Sequence, residues 1–269
     1  MSFSKKIGIH KPEPPISIRY EAPRQLRLYL PLLMHRYKGL KIIRSCVCYV
    51  TKEAPDPNNW GENEFMKQEI ETLLEECPWY YIYDIIEYFD QKLSWNERTA
   101  FEEEMNEYFV EKGIGWKLVD GEIKTRGEEA FEQKMAETIE VLNEAKLETS
   151  KQEIQEALND LSRRPEPDIT GSVQHALAAL ECLCREITGD SKDTLGKLIN
   201  NNPDIVPKPL NEVIGMIWGF ASGHGRHLQE GKAPDYEEAE LVVHLCAILC
   251  TYLSKKSFKK EDSINDFPF

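Results

Sequence analysis

One short stretch, Gly223 to His227, carries two imidazoles and one guanidinium. An imidazole can give or take a proton near neutral pH, and a guanidinium binds phosphate oxygens with two donors. Metal-independent RNA cleavage needs one group to remove the proton of the 2′-hydroxyl that attacks the phosphate, and another to protonate the leaving oxygen. His224, Arg226 and His227 have the right chemistry, although a solvated turn between two helices fits the same residues.

A second polar set lies on a helix predicted over 170–188. Gln174, Glu181 and Arg185 follow one stripe beside its apolar face. Because Glu181 and Arg185 are four residues apart, their side chains can pair. One interpretation is that Glu181 orients an imidazole and Arg185 adds a phosphate contact. The other is a surface ion pair that contributes roughly 1 kcal/mol at most.

Charge is spread unevenly along the chain. Residues 1–50 hold ten Lys or Arg and two Asp or Glu, whereas residues 51–160 hold eleven and twenty-nine. The formal net charge of −14 disfavours non-specific binding of nucleic acid by the surface as a whole. The basic first segment could still hold a phosphate-bearing partner, and Arg24 and Arg27 lie on one face of a helix predicted there. Alternatively, this segment packs against the acidic middle.

Several classes of function lack support in the sequence. No P-loop, G-x-S-x-G, H-E-x-x-H or G-x-G-x-x-G motif is present. Seven scattered cysteines without C-x-x-C spacing predict buried, inert thiols, and we expect no metal and no cofactor. No apolar run approaches the roughly 20 residues that span a bilayer, and no secretory signal is recognisable. We therefore expect a cytoplasmic protein without membrane contact.

Hydrophobic periodicity predicts a mainly α-helical protein. Asp120-Gly121, between two short strand-like runs, predicts one β-hairpin near 114–125. The proline-rich segment 163–168 is the predicted domain boundary. One helix is predicted to open at Pro23, and the others are predicted over 61–77, 79–93, 95–112, 128–146, 149–162, 170–188, 192–201, 208–221 and 235–254.

Apolar positions at helical spacing also predict which faces are buried. The aromatic side chains of helix 79–93 are predicted to be core residues. For the last three long helices, the predicted buried residues are Val173, Leu177, Leu180, Cys184 and Ile187, then Leu210, Val213, Ile214 and Ile217, then Leu241, Leu245, Ile248 and Tyr252.

Several stretches together resemble a known family. PDPNNWGE, CPWYYIYDIIE and GIGWKLVDGEI resemble the AbiJ N-terminal domain family. LSRRPEPDITGSVQHALAALECLCREITGD, TLGKLI, WGFASGHGRH and EEAELVVHL resemble its HEPN-like C-terminal half. The resemblance implies a role in bacterial abortive infection and phage defence. It also implies a small helical bundle, often dimeric, and in many relatives a metal-independent ribonuclease whose active site is shared across the dimer.

The resemblance sets the predicted domain division. An AbiJ-like helical region with the hairpin is expected at 1–164, a HEPN-like antiparallel bundle at 168–256, and a flexible tail at 257–269. The usual HEPN motif is an arginine, four to six residues and a histidine, whereas Arg226 and His227 are adjacent here. Two interpretations stay open: a ribonuclease toxin, or a non-catalytic module that dimerises or binds a partner protein.

The enzyme interpretation assigns roles to particular residues. Arg226 would stabilise the scissile phosphate, His227 would act as acid or base, and Glu181 would support them as the third catalytic candidate. Expected partners are RNA or a nucleotide, a second copy of the chain, and a phage-derived trigger or partner protein. RNA or phosphate binding is predicted at Arg185, His224, Arg24 and Arg27.

Overall fold

The computed structural model describes residues 13–57, 62–222 and 234–262, with side chains as far as residue 257. This part of the chain contains eleven helices and one two-stranded antiparallel hairpin, so the predicted mainly α fold is confirmed. Contacts between residues group into two compact units, a first unit, Met1–Arg126, and a second unit, Gly127–Phe269. No helix in the described ranges is both long and apolar enough to cross a bilayer.

The described part of the first unit runs through five helices and then the hairpin. Helix α5 opens with a capping box in which Ser94 and Glu97 each bind the other's backbone. The predicted helices agree with the observed ones to within a few residues, and the apolar segment at 40–50 is also helical. The elements are α1 (Arg24–His35), α2 (Leu40–Thr51), α3 (Glu62–Glu76), α4 (Trp79–Asp90), α5 (Trp95–Glu111), β1 (Trp116–Val119) and β2 (Glu122–Thr125).

Aromatic rings fill much of the first core. Tyr83 and Phe89 of α4 are fully buried, as predicted, while the other aromatic residues of that helix are partly exposed. Phe89 meets Phe101 edge to face, with ring centroids 5.2 Å apart. The ring centroids of Trp79 and Trp116 lie 6.3 Å apart, and the partly exposed Trp79 and Tyr88 pack against the same core.

Side chains of neighbouring helices hold the hairpin in place. Asp120 and Gly121 have φ values of 54° and 80°, as a two-residue hairpin turn requires. The Asn106 amide accepts from the Leu118 N–H and donates to its carbonyl, each at 2.7 Å. Glu102 accepts from the Gly121 N–H at 2.8 Å. A two-stranded hairpin is only marginally stable by itself, so these bonds to α5 are needed to keep its register.

Helix α8 is central to the second unit and packs against α7, α9, α10 and α11. It begins at Asp168, whose carboxylate accepts from the Gly171 N–H at 2.8 Å, and ends at Gly189 with a φ of 71°. The elements are α6 (Glu129–Glu144), α7 (Glu148–Leu161), α8 (Ile169–Thr188), α9 (Leu195–Asn201), α10 (Asn211–Ala221) and α11 (Tyr236–Asp262).

The buried faces in this unit were predicted with unequal success. Helix α8 buries Val173, Leu177, Leu180 and Cys184, as predicted. Helix α11 does not bury Leu241, Ile248 and Tyr252, which are 56%, 45% and 39% exposed, and Leu210 and Val213 are also exposed. Apolar residues lie on two sides of α11, and its smaller ones face the core because they allow neighbouring helices to approach closely. These buried residues are Ala239, Val242, Val243, Cys246, Ala247 and Cys250.

The predicted domain boundary lies inside the second unit. Helices α7 and α8, on either side of segment 163–168, pack against each other, and contacts divide the chain after Arg126 instead. The functional division at residues 164 and 168 stays a prediction. Helix α11 continues to Asp262 rather than ending near residue 254, and residues 263–269 of the predicted tail lie outside the described residues.

Candidate functional site

The loop that carries the predicted catalytic residues lies outside the described residues. His224, Arg226 and His227 belong to the segment between α10, which ends at Ala221, and α11, which begins at Tyr236. Their roles therefore stay predictions. The structure describes Glu181 and Arg185, the residues predicted to support them.

Glu181 and Arg185 form the predicted ion pair, with Oε1 and Nη2 2.7 Å apart. The other oxygen of Glu181 accepts a hydrogen bond from the Leu195 N–H at 3.0 Å, at the start of α9. Arg185 Nε donates to the Asp193 carbonyl at 3.3 Å. The pair thus holds the connection between α8 and α9 in place, which is a positioning role. Any additional contact with RNA stays a prediction.

A larger polar cluster, which the sequence did not predict, joins α7 to the start of α8. His175 Nδ1 lies 2.6 Å from Glu153 Oε2, and His175 Nε2 lies 3.7 Å from Asp160 Oδ2. Arg163 bridges two carboxylates, Asp160 at 2.8 Å and Asp168 at 2.9 Å. We call these five residues the α7–α8 cluster. It explains why the proline-rich segment is not a free linker, since its two ends are tied together.

Burial raises the pKa of Asp160 in this cluster. The nearby Asp168 raises that pKa further, while Arg163 and His175 oppose the shift. A partly exposed imidazole held by a carboxylate could transfer a proton. However, the carboxylates of Glu153 and Asp160 lie beside it, and their negative charge disfavours a phosphate substrate. Glu153 and Asp160 are seven residues apart and lie on one face of α7. This spacing is the feature of the sequence that could have indicated the cluster.

The two arginines predicted to bind phosphate in the first unit have different surroundings. Arg24 is exposed and pairs with Glu75 at 3.1 Å. Arg27 donates to the carbonyls of Ala22 at 3.0 Å and Cys77 at 2.9 Å, and also to that of Leu74. Because these bonds secure the end of α3, Arg27 has a structural role that competes with phosphate binding. Such a contact between distant segments leaves no local signal in the sequence.

The thiols and the last histidine are packed side chains. All seven cysteines are free and five are buried, as predicted. Burial raises the pKa of Cys184 and of Cys246 to about 12, so neither is a thiolate nucleophile near neutral pH. The His244 ring stacks on Phe131 with centroids 3.4 Å apart. Within the described ranges, no group of three or more His, Cys, Asp or Glu side chains is arranged to hold a metal ion.

Comparison with known proteins identifies the first half of the chain. The family model described as AbiJ N-terminal domain 4 matches residues 1–141, which is more than half of the sequence. Neither the curated proteins nor the solved structures include a significant match. The chain therefore belongs to the AbiJ N-terminal domain 4 family, and this membership suggests a context of abortive infection, the bacterial defence against phage.

Proposed function

We propose that this protein is a HEPN-type ribonuclease of abortive infection that cleaves RNA without a metal ion. The observation that carries the proposal is the family match over residues 1–141, which suggests the defence context. A separately packed helical unit begins at Gly127, near the end of the family match, and extends beyond it, and we assign the toxic activity to that unit. A ribonuclease that stops translation in an infected cell would fit that context.

The loop between α10 and α11 supplies the chemistry that this reaction needs. His227 acts as the general acid or the general base, solvent water makes the other proton transfer, and Arg226 stabilises the charge that develops on the phosphate. His224 binds the neighbouring phosphate or base. Glu181 and Arg185 support the reaction by holding the connection between α8 and α9, and Arg185 can also contact a phosphate.

The other histidines described in the second unit are less suited to this role. His175 is held between Glu153 and Asp160, and the carboxylates around it repel a phosphate. His244 packs on the ring of Phe131. The adjacent Arg226 and His227 therefore remain the best candidates for the active site.

Dimerisation is part of the proposal. Leu241, Ile248 and Tyr252 form an exposed apolar stripe along α11, at intervals of seven and four residues. A second copy of the chain could cover this stripe, and the resemblance to HEPN proteins implies an active site shared across such a dimer. We expect Ile248→Glu to give a monomer that no longer cleaves RNA. In sedimentation velocity, the control Leu32→Glu, an exposed leucine of the first unit, should stay dimeric.

The cleavage test compares purified wild type with Arg226→Ala and His227→Ala in the presence of EDTA. The wild type should leave 2′,3′-cyclic phosphate ends. Each variant should lose cleavage by at least about a hundredfold, because His227→Ala removes a general acid or base and Arg226→Ala removes charge stabilisation on the phosphate. His35→Ala, an exposed histidine of the first unit, serves as the control and should cleave normally. Circular dichroism checks that the variants fold. Cleavage that persists in His227→Ala would contradict the assignment.

The exposed α11 stripe also favours a second function, a non-catalytic module that binds a partner protein. The two functions differ in what expression of the chain alone does to a bacterial host. The ribonuclease should be toxic, and its toxicity should disappear with His227→Ala. The module should be harmless and should form a stable complex that Ile248→Glu disrupts.

A further inference from the structure

We propose that the exposed face of α2, in the first unit, is a binding site for single-stranded RNA. Lys41, Ser45, Tyr49 and Lys52 define this face, which we call the α2 stripe. Lys41, Ser45 and Tyr49 follow one another at intervals of four residues, so they lie on one side of α2, and Lys52 comes directly after the last residue of the helix. With a rise of about 1.5 Å per residue, the helical part of the stripe is about 12 Å long. The site does not depend on whether the Arg226–His227 loop is catalytic.

Two tyrosines and two lysines form a column at one end of the stripe. The rings of Tyr49 and Tyr88 stack with centroids 4.2 Å apart and planes 12° from parallel. Lys52 Nζ lies 4.6 Å from the centre of the Tyr49 ring, and Lys92 Nζ lies 4.2 Å from the centre of the Tyr88 ring. Because each ring has the other on one face, each ammonium covers the opposite face. The order in the column is therefore Lys52, Tyr49, Tyr88, Lys92.

The column can exchange its outer lysine for a nucleobase. An exposed cation–π contact contributes about 0.5–1 kcal/mol, whereas a base stacked on an aromatic side chain contributes about 1–3 kcal/mol. Stacking of a base on Tyr49, which is 56% exposed, is thus the stronger contact. The displaced ammonium of Lys52 stays within reach of the phosphate next to that base. Lys52 has a φ of 64°, an unusual value for a residue other than glycine, asparagine or aspartate.

The other end of the stripe offers contacts for the RNA backbone. Lys41 Nζ pairs with Glu62 at 2.8 Å, but both side chains are exposed, by 76% and 54%. An exposed ion pair contributes about 0–1 kcal/mol, so a phosphate can replace the carboxylate. Ser45 adds a hydroxyl donor between Lys41 and the tyrosines. Lys41, Ser45 and Tyr49 border a cavity of about 550 Å³ between α2 and the start of α3.

A second tyrosine stack in the same unit has more acidic surroundings. Tyr29 and Tyr108 stack at 4.3 Å and 6°. Glu104, Glu107 and Glu111 line the cavity beside them, together with two basic residues. These carboxylates repel a phosphate backbone, so stacked rings alone should not bind RNA there. Lys112 Nζ lies 5.7 Å from the centre of the Tyr108 ring, farther than the 4.6 Å and 4.2 Å of Lys52 and Lys92 in the Tyr49–Tyr88 column.

The ligand chemistry follows from the exposed ring and the spacing of cations. Single strands offer a base face for stacking, whereas a duplex keeps its base faces stacked inside. The lysines at the two ends of the stripe then contact phosphates on either side of the stacked base. Glu53 and Glu62 also border the cavity, so electrostatic attraction by itself is limited and stacking should dominate affinity.

The test measures binding of a labelled 2′-O-methyl oligouridine to the full chain by fluorescence anisotropy. This probe has no 2′-hydroxyl nucleophile, so the result is independent of any ribonuclease activity. Tyr49→Leu should weaken binding about tenfold, which corresponds to about 1.4 kcal/mol of lost stacking. Lys52→Gln should lower the slope of log affinity against log salt by about 0.7, as expected when one phosphate contact is lost.

The control is Tyr29→Leu, which removes a ring from the other tyrosine stack and should bind like wild type. A duplex of the same length should bind at least about tenfold more weakly than the single strand. The proposal is wrong if Tyr49→Leu binds within twofold of wild type, if Tyr29→Leu loses as much affinity, or if the duplex binds equally well. Because Tyr49 and Lys52 are exposed, both variants should fold, and circular dichroism verifies this.

Discussion

The core of the first unit is rich in aromatic rings, whereas that of the second is built mainly from leucine, isoleucine, valine, alanine and cysteine. In the first unit, bulky rings such as Phe89 and Phe101 fill the space between elements that include a hairpin. In the second, α8 buries Ala176 and Ala179 while packing against α7 and α11. A core of large rings should be most sensitive to truncation, and a core of small residues to enlargement.

The described part of each unit also buries one charged side chain. Among the described residues, Asp90 and Asp160 are the charged residues that are buried, one in each unit. Each pairs with an arginine, Arg98 at 2.7 Å and Arg163 at 2.8 Å. Burial raises the pKa of both carboxyls. Asp160 has the additional contact with His175, so the buried carboxylate of the second unit belongs to a wider polar cluster.

The largest effect is expected from truncating an aromatic residue of the first core. Phe101→Ala should lower the free energy of unfolding by about 3–5 kcal/mol, because it removes a fully buried ring and leaves a cavity. Urea denaturation followed by circular dichroism measures this loss. The control Trp95→Ala, on the exposed start of the same helix, should change stability by less than about 0.5 kcal/mol. Equal effects of the two variants would contradict the role assigned to the ring.

The next largest effect is the change in the free energy of unfolding with pH that Asp90 causes. Burial raises the pKa of Asp90 from 3.8 to about 6, so between these pH values the folded state holds more protons than the unfolded state. The contribution of Asp90 to the free energy of unfolding is fully present below pH 4 and is lost as the pH rises to 6. At about 1.4 kcal/mol per pKa unit, the loss amounts to about 3 kcal/mol.

Asp90→Asn removes this titration and tests it. The free energy of unfolding of the variant should change less between pH 4 and pH 6 than that of wild type, and the two curves should run parallel above pH 7. Asp160 shifts in the same direction in the second unit, so only the difference between variant and wild type is informative. Parallel curves throughout would show that Asp90 titrates normally.

Enlarging a small core residue should destabilise the second unit. Ala179→Leu adds three carbon atoms at a fully buried position of α8 and should cost about 1–3 kcal/mol. The neighbouring Ala178→Leu, at a partly exposed position, is the matched control and should cost less than about 0.5 kcal/mol. Thermal unfolding provides the measurement. If both variants unfold at the wild-type temperature, the helices are less tightly packed than the structure indicates.

The smallest difference in the free energy of unfolding is expected between alanine substitutions at two glycines with positive φ, Gly189 and Gly113. Gly189 ends α8 with open space around its Cα, so Gly189→Ala should cost about 1 kcal/mol from the backbone alone. A Cβ at Gly113 would lie 2.6 Å from the Pro15 carbonyl oxygen as well. Gly113→Ala should therefore cost about 2 kcal/mol or more. Urea denaturation of the two variants would contradict this order if Gly189→Ala proved the more destabilising.

Local chemistry explains why most elements were predicted correctly. The hairpin turn depends on Asp120 and Gly121, which adopt positive φ values themselves. The start of α5 depends on Ser94 and Glu97, three residues apart. These signals are contained within a few residues, so they can be recognised without knowing where the neighbouring elements lie.

The face of α11 that is buried could not be predicted in the same way. Leu241 and Ile248 have the spacing of a buried stripe, yet they are exposed, and Val243 and Cys246 are buried instead. Both stripes are apolar, and the choice between them depends on how closely α6 and α8 approach α11. Large exposed side chains on the other stripe are the feature on which the proposed dimer rests.

The sequence by itself determined the helical periodicity, the hairpin and the ends of most helices, and it supplied the residue types on which the proposed ribonuclease rests. The tertiary structure alone decided that Arg27 secures the end of α3, that His175 meets Glu153, and that Tyr49 stacks on Tyr88. Each of these pairs joins residues more than twenty positions apart. Such contacts arise from the packing of whole helices, whose hydrophobic burial outweighs any local preference of the residues concerned.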